Sequence, residues 1–104
     1  MYSGSINLAT SRIIPKEGEF KPNGPRFSVE IMCSNLSAAS AEITLQGSIS
    51  RDGFGTVYDG TEAVTETLAS GVRCFRSFDV DPDCFYNILF PAALTGTVNY
   101  YIEE

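Results

Sequence analysis

Period-two alternation of apolar and polar side chains, turn residues recurring every 8 to 12 positions, and no sustained 3.6-residue period together predict an all-β chain. The expected architecture is an antiparallel β-sandwich or jelly roll of seven or eight strands, led by an extended N-terminal arm. With 104 residues the chain is one domain's worth, divided by pattern into an arm, residues 1–25, and a sandwich body, residues 26–104.

The arm reads as extended chain broken by turns. Ser5–Thr10 alternates as a short strand, and Ile13-Ile14-Pro15 is a second extended piece. Pro15-Lys16-Glu17-Gly18 and Lys21-Pro22-Asn23-Gly24-Pro25 are turn chemistry, because Pro presets φ and Asn-Gly tolerates positive φ. From Arg26 the alternation is clean: Phe27, Val29, Ile31 and Cys33 share one face, with Ser28, Glu30, Met32 and Ser34 on the other. After the loop 35–40, Ile43, Leu45, Gly47 and Ile49 alternate with Thr44, Gln46, Ser48 and Ser50. Arg51-Asp52-Gly53 predicts a hairpin of mirror-type turn, paired with a strand from Phe54 to Tyr58 that ends at Asp59-Gly60. Ala63–Leu68 is a Thr-rich strand turned by Ala69-Ser70-Gly71 into Val72–Val80. Asp81-Pro82-Asp83-Cys84-Phe85-Tyr86 predicts one helical or 3₁₀ turn, with Asp81 as cap and Pro82 at the first helical position. Ile88-Leu89-Phe90 is a short strand stopped by Pro91, and Thr97–Glu103 is the last, with Val98, Tyr100 and Ile102 on its apolar face.

Composition narrows the function classes. The net charge is −6, and the seven basic residues, Arg12, Lys16, Lys21, Arg26, Arg51, Arg73 and Arg76, are scattered. No concentrated positive face is predicted, so neither nucleic acid nor an anionic membrane surface is an expected partner. No run reaches the roughly 18 apolar residues of a membrane helix, and the first residues lack the pattern of a secretory leader. Cys33, Cys74 and Cys84 are odd in number and each lies among apolar neighbours. They read as reduced, space-filling thiols in a reducing compartment, with one disulfide as the alternative.

Chemistry-bearing constellations are sparse. Histidine is absent, which removes the usual Ser/His/Asp and Cys/His nucleophile systems, and Lys16 and Lys21 both lie in the arm. No enzymatic activity and no cofactor are therefore expected. Asp79, Asp81 and Asp83, at spacing two, are a candidate calcium-loop fragment; a strand end followed by a capped turn is the plainer reading. Gly53-Phe54-Gly55 lacks the Lys and helix of a phosphate cradle. A sugar-stacking surface usually offers a flat aromatic; there is no Trp, but Tyr2, Tyr58, Tyr86, Tyr100 and Tyr101 are present. Tyr100 and Tyr101 are adjacent on a strand and face opposite sides, one to the core and one outward. Ile13, Ile14, Phe20, Phe54 and Tyr101 are the candidate interface residues, apolar groups expected to insert into a neighbouring molecule.

The stretch Ile43–Gly71, with its Gly-Ser-x-x-x-Asp-Gly-aromatic hairpin, Val57-Tyr58-Asp59-Gly60 strand, Thr-rich strand and Gly turn, resembles small β-sandwich proteins of tailed bacteriophages. These are the capsid decoration or cement proteins and head or tail accessory proteins. The stretch also resembles, less closely, discoidin-type galactose-binding-like domains, with Phe54 at the position usually held by Trp. The first resemblance implies a structural virion protein on the capsid surface, made in the host cytoplasm. It would bind the major capsid protein between subunits and stabilise the shell as a homo-oligomer, with a trimer expected, and with arm exchange. The basic residues of the arm would pair with acidic patches of the coat. The alternative is a carbohydrate- or receptor-binding module of a tail fibre or secreted adhesin.

Overall fold

The computed structural model describes residues 1–104 and contains no helix. Eleven strands form: β1 (Tyr2–Asn7), β2 (Ile13–Ile14), β3 (Arg26–Met32), β4 (Ser40–Ser48), β5 (Gly55–Thr56), β6 (Tyr58–Asp59), β7 (Glu62–Ala63), β8 (Thr65–Ala69), β9 (Cys74–Asp79), β10 (Phe85–Leu89) and β11 (Thr97–Glu103). Alternation dictates how they pack. Phe27, Val29 and Ile31 of β3 point one way, as do Val98, Tyr100 and Ile102 of β11, and all six are buried. They meet Ala41, Ile43 and Leu45 of β4, Tyr86 and Ile88 of β10 and Leu68 of β8 in one continuous apolar core.

Two sheets enclose this core. One has the order β1-β11-β3-β9; the other runs β2-β10-β4, with β8 and β5 sharing the far edge of β4. Every pairing is antiparallel. The strands β1 and β2, β3 and β4, β8 and β9, and β10 and β11 each divide between opposite sheets, so the chain crosses the core repeatedly. Omitting β5–β7 leaves eight strands in the sheet orders β1-β11-β3-β9 and β2-β10-β4-β8, which is jelly-roll wiring. Residues 49–64 are an excursion inserted between β4 and β8, and they hold the separate β6–β7 hairpin.

The division at residue 25 is corrected. Residues 1–25 are woven into both sheets: β1 pairs along its whole length with β11, β2 pairs with β10, and Phe20 exchanges two backbone hydrogen bonds of 2.9 Å with Tyr86. Ile6, Leu8, Ile14 and Phe20 are core residues. The cause is energetic: an apolar side chain gains roughly 1.5–3 kcal/mol on full burial, and this segment carries four of them into a core that lacks its edge strands without them.

Three local expectations also change. β4 ends at Ser48, so Ile49 does not continue the buried face and is 79% exposed. The positive φ of the following loop falls on Arg51 (68°), not on Gly53, because residues 49–54 form a longer connection than a two-residue mirror turn. The segment after Asp81 is a turn, not a helical piece: the Asp81 carboxylate accepts from the Asp83 N–H at 2.9 Å, and β10 starts at Phe85.

The open seam between the sheets, beside β9, is closed by Arg76. Its guanidinium lies 4.9 Å over the Phe78 ring and donates to Glu66 of β8 at 2.6 Å. An inward-directed charge on an edge strand also discourages pairing with another chain.

Candidate functional site

No three His, Cys, Asp or Glu side chains gather in an arrangement able to hold a metal ion. The candidate triplet is dispersed: Asp79 pairs with Arg26 at 3.2 Å across the β3–β9 ladder, and Asp81 caps its own turn. The three carboxylates of this candidate fragment do not converge on one point, and Asp79 ends β9 while Asp81 caps the turn after it. The cysteines are all free thiols, with Cys33 buried in the core and the other two half-buried. Burial, reinforced by the Glu66 carboxylate and opposed by Arg76, pushes the Cys74 thiol up from its usual range. A protonated thiol is a poor nucleophile.

The predicted interface residues separate into two groups. Ile14 and Phe20 lie in the protein's own core, 0% and 1% exposed, and this corrects their assignment as contacts to a neighbour. Ile13 is half-buried where β2 pairs with β10. Phe54 is half-buried at the start of the inserted excursion, and Tyr101 is exposed on the outer face of the four-stranded sheet. The structure therefore offers two separate surfaces.

The first is the excursion. Ile49 and Tyr58 (62% exposed) are large apolar groups facing solvent. At Ile49 opens a cleft of about 340 Å³ in which Val57, Cys84 and Tyr86 lie with Gly47, Gly55, Ser48 and Thr56, while Tyr58 lines a neighbouring groove. Gly47 makes this cleft possible, since a Cβ there would lie 3.0 Å from the Tyr86 ring and 3.2 Å from Val57. Tyr86 is held in place because its hydroxyl accepts from the Asp81 N–H at 2.9 Å. Burial pushes its phenol pKa up, and the Asp81 hydrogen bond works against that. Val57 also lines a second groove, of about 340 Å³, running to Ser77 and Asp79 of β9.

The second surface is the outer face of the four-stranded sheet. Register places Ser3, Tyr101, Glu30 and Phe75 in one row across all its strands. The adjacent row holds Ser5, Asn99 and Met32. Arg73 donates to Glu30 at 3.1 Å. Of these, Glu30, Met32, Arg73, Asn99 and Tyr101 line a shallow depression of about 220 Å³.

Comparison with family models, curated proteins and solved structures finds no match.

Ile49 and Phe75 are exposed residues that sequence reasoning did not single out. A signal for Phe75 existed: it stands three positions from Phe78, an odd spacing that sends the two rings to opposite faces, and Phe78 is buried while Phe75 is 69% exposed. For Ile49 the signal pointed the wrong way, because it continues the alternation of Ile43 and Leu45.

Proposed function

We propose that this chain is a non-catalytic structural protein of a virion, of the decoration or cement type, that docks on coat-protein subunits and associates with copies of itself. One observation carries the reading: the excursion between β4 and β8, dispensable to the jelly-roll wiring, presents exposed Ile49 at one cleft and exposed Tyr58 at a neighbouring groove. Exposed apolar groups rimming a pocket are the usual anchor points of protein interfaces. Inserted connections are where a rigid scaffold carries its binding residues. The excursion also lies within the stretch that resembles phage decoration proteins. Jelly rolls recur in capsid proteins, which supports the reading by analogy of fold.

Arm exchange has no place in this mechanism, since the first 25 residues belong to the protein's own sheets. Docking is instead by a preformed surface, which loses little conformational freedom on binding. The test is co-sedimentation with capsids of its own virus prepared without the protein, together with light scattering for its oligomeric state. The wild-type chain is expected to co-sediment, and Ile49→Asp, which places a charge at the anchor, to release it without loss of fold. A monomer indifferent to capsids refutes the proposal.

A further inference from the structure

The outer face of the four-stranded sheet carries a second, chemically different site. We infer that the depression around Tyr101 binds a neutral carbohydrate, one sugar ring at a time. The inference is independent of the capsid-docking surface and survives its failure.

Position excludes the commonest alternatives. Tyr101 and Asn99 lie on β11, and Glu30 and Met32 on β3; both strands are paired on both sides. Their backbone N–H and C=O groups are taken up in the ladders, so no extended peptide can add as another strand here. Recognition must be by side chains alone. The side chains supplied are a phenol ring, an amide, a carboxylate and a guanidinium around a depression of about 220 Å³. That is below the roughly 300–1,000 Å³ of pockets that bury drug-sized molecules, and a single ring suits it.

Charge narrows the ligand further. Glu30 and Arg73, paired at 3.1 Å, offset each other within the depression, and Glu103, which accepts from the Tyr101 hydroxyl at 3.3 Å, adds a carboxylate at its edge. An anion meets the Glu30 carboxylate, and a cation meets the Arg73 guanidinium. A neutral molecule rich in hydroxyls suits both, because each hydroxyl donates to a carboxylate and accepts from a guanidinium or an amide. The Ser5 hydroxyl donates to Asn99 Oδ1, leaving the amide's N–H donors on the side offered to a ligand. The Tyr101 ring, 37% exposed, supplies the flat apolar surface against which the C–H face of a sugar stacks. Phe75, next but one in the same row and 69% exposed, lies outside this depression and lines a separate one with Ser28 and Ser77. The row on the other side of Tyr101 holds Glu103, Ser28 and Ser77, with the Arg26–Asp79 pair beyond it.

The test is an array of neutral, sialylated and sulfated glycans probed with the full-length chain, followed by amide-shift mapping with the best neutral hit. Neutral glycans are expected to bind, with shifts centred on Glu30, Asn99 and Tyr101. Tyr101→Ala should weaken binding at least about tenfold while Tyr101→Trp retains it; Asn99→Ala provides a second variant if Tyr101→Ala folds poorly. Ile49→Asp, which tests capsid docking, should leave glycan binding unchanged. The inference is overturned if the folded wild type binds no neutral glycan or prefers charged ones, or if Tyr101→Ala and Asn99→Ala bind as well as wild type. Loss of capsid co-sedimentation in Tyr101→Ala would equally overturn it, by assigning this face to a protein.

Discussion

If the first 25 residues are part of the core, replacing Phe20 must be among the most damaging substitutions in the chain. Phe20 is 1% exposed. Its ring stands edge-on to Phe27 at 4.7 Å and tilted to Tyr2 at 5.9 Å. Its backbone is tied to Tyr86 by a pair of 2.9 Å hydrogen bonds, so the segment cannot easily collapse into the space a smaller side chain leaves. Phe→Ala at such a site costs about 3–5 kcal/mol, combining lost transfer free energy with an unfilled cavity. The edge-on pairing with Phe27 accounts for roughly 0.5–1.5 kcal/mol of that. Total stability of a domain is about 5–15 kcal/mol, so Phe20→Ala removes a large fraction. In urea, with a denaturant slope of about 1–3 kcal/mol/M, the midpoint should fall by about 2 M. The assay is equilibrium unfolding followed by far-ultraviolet circular dichroism and by tyrosine fluorescence, since the chain has no Trp. Tyr58→Ala serves as the exposed control and should stay within about 0.5 kcal/mol of wild type. A Phe20→Ala variant as stable as that control would refute the reasoning and return residues 1–25 to a detached arm.

Two further outcomes are expected. Gly96 has φ of 138°, and a Cβ there would come within 2.9 Å of Cys33 Sγ and 3.0 Å of the Asn35 carbonyl. Gly96→Ala should therefore cost more than about 2 kcal/mol, from strain and overpacking together, and Cys33→Ala should not fully rescue it in a thermal melt because the Asn35 carbonyl remains. Stability should also fall at alkaline pH. Burial pushes the phenols of Tyr86 and Tyr100 up, and the Cys74 thiol likewise. The folded state holds these protons more tightly than the unfolded chain. Their contribution is therefore fully present below the ordinary values of about 9–10 and is lost as pH rises through the folded ones. Melting temperature measured from pH 8 to pH 11 should fall above about pH 10; a flat profile would contradict this.

The sequence alone was enough for the strand faces and for the residue types that are missing. The alternation of Phe27, Val29 and Ile31, and of Val98, Tyr100 and Ile102, holds as read, and the last strand runs from Thr97 to Glu103 as expected. The outward direction of Tyr101 followed from its neighbour Tyr100. These are local properties: successive side chains of a strand point to opposite faces whatever the strand pairs with.

Pairing itself is not local, and only the tertiary structure decided it. Ser5 sits opposite Asn99 in the β1–β11 ladder, 94 positions away, so nothing near residue 5 announces that the supposed arm is an edge of the sheet. The same holds for Glu30, Arg73, Asn99 and Tyr101, which become one site only because β3 lies between β11 and β9. Ile49 shows the converse. Its local pattern said buried, but β4 loses its partner after Ser48, and with no sheet opposite to cover it the side chain stays in solvent. Alternation assigns a side chain to a face; whether that face is core or surface depends on which distant strand arrives to cover it.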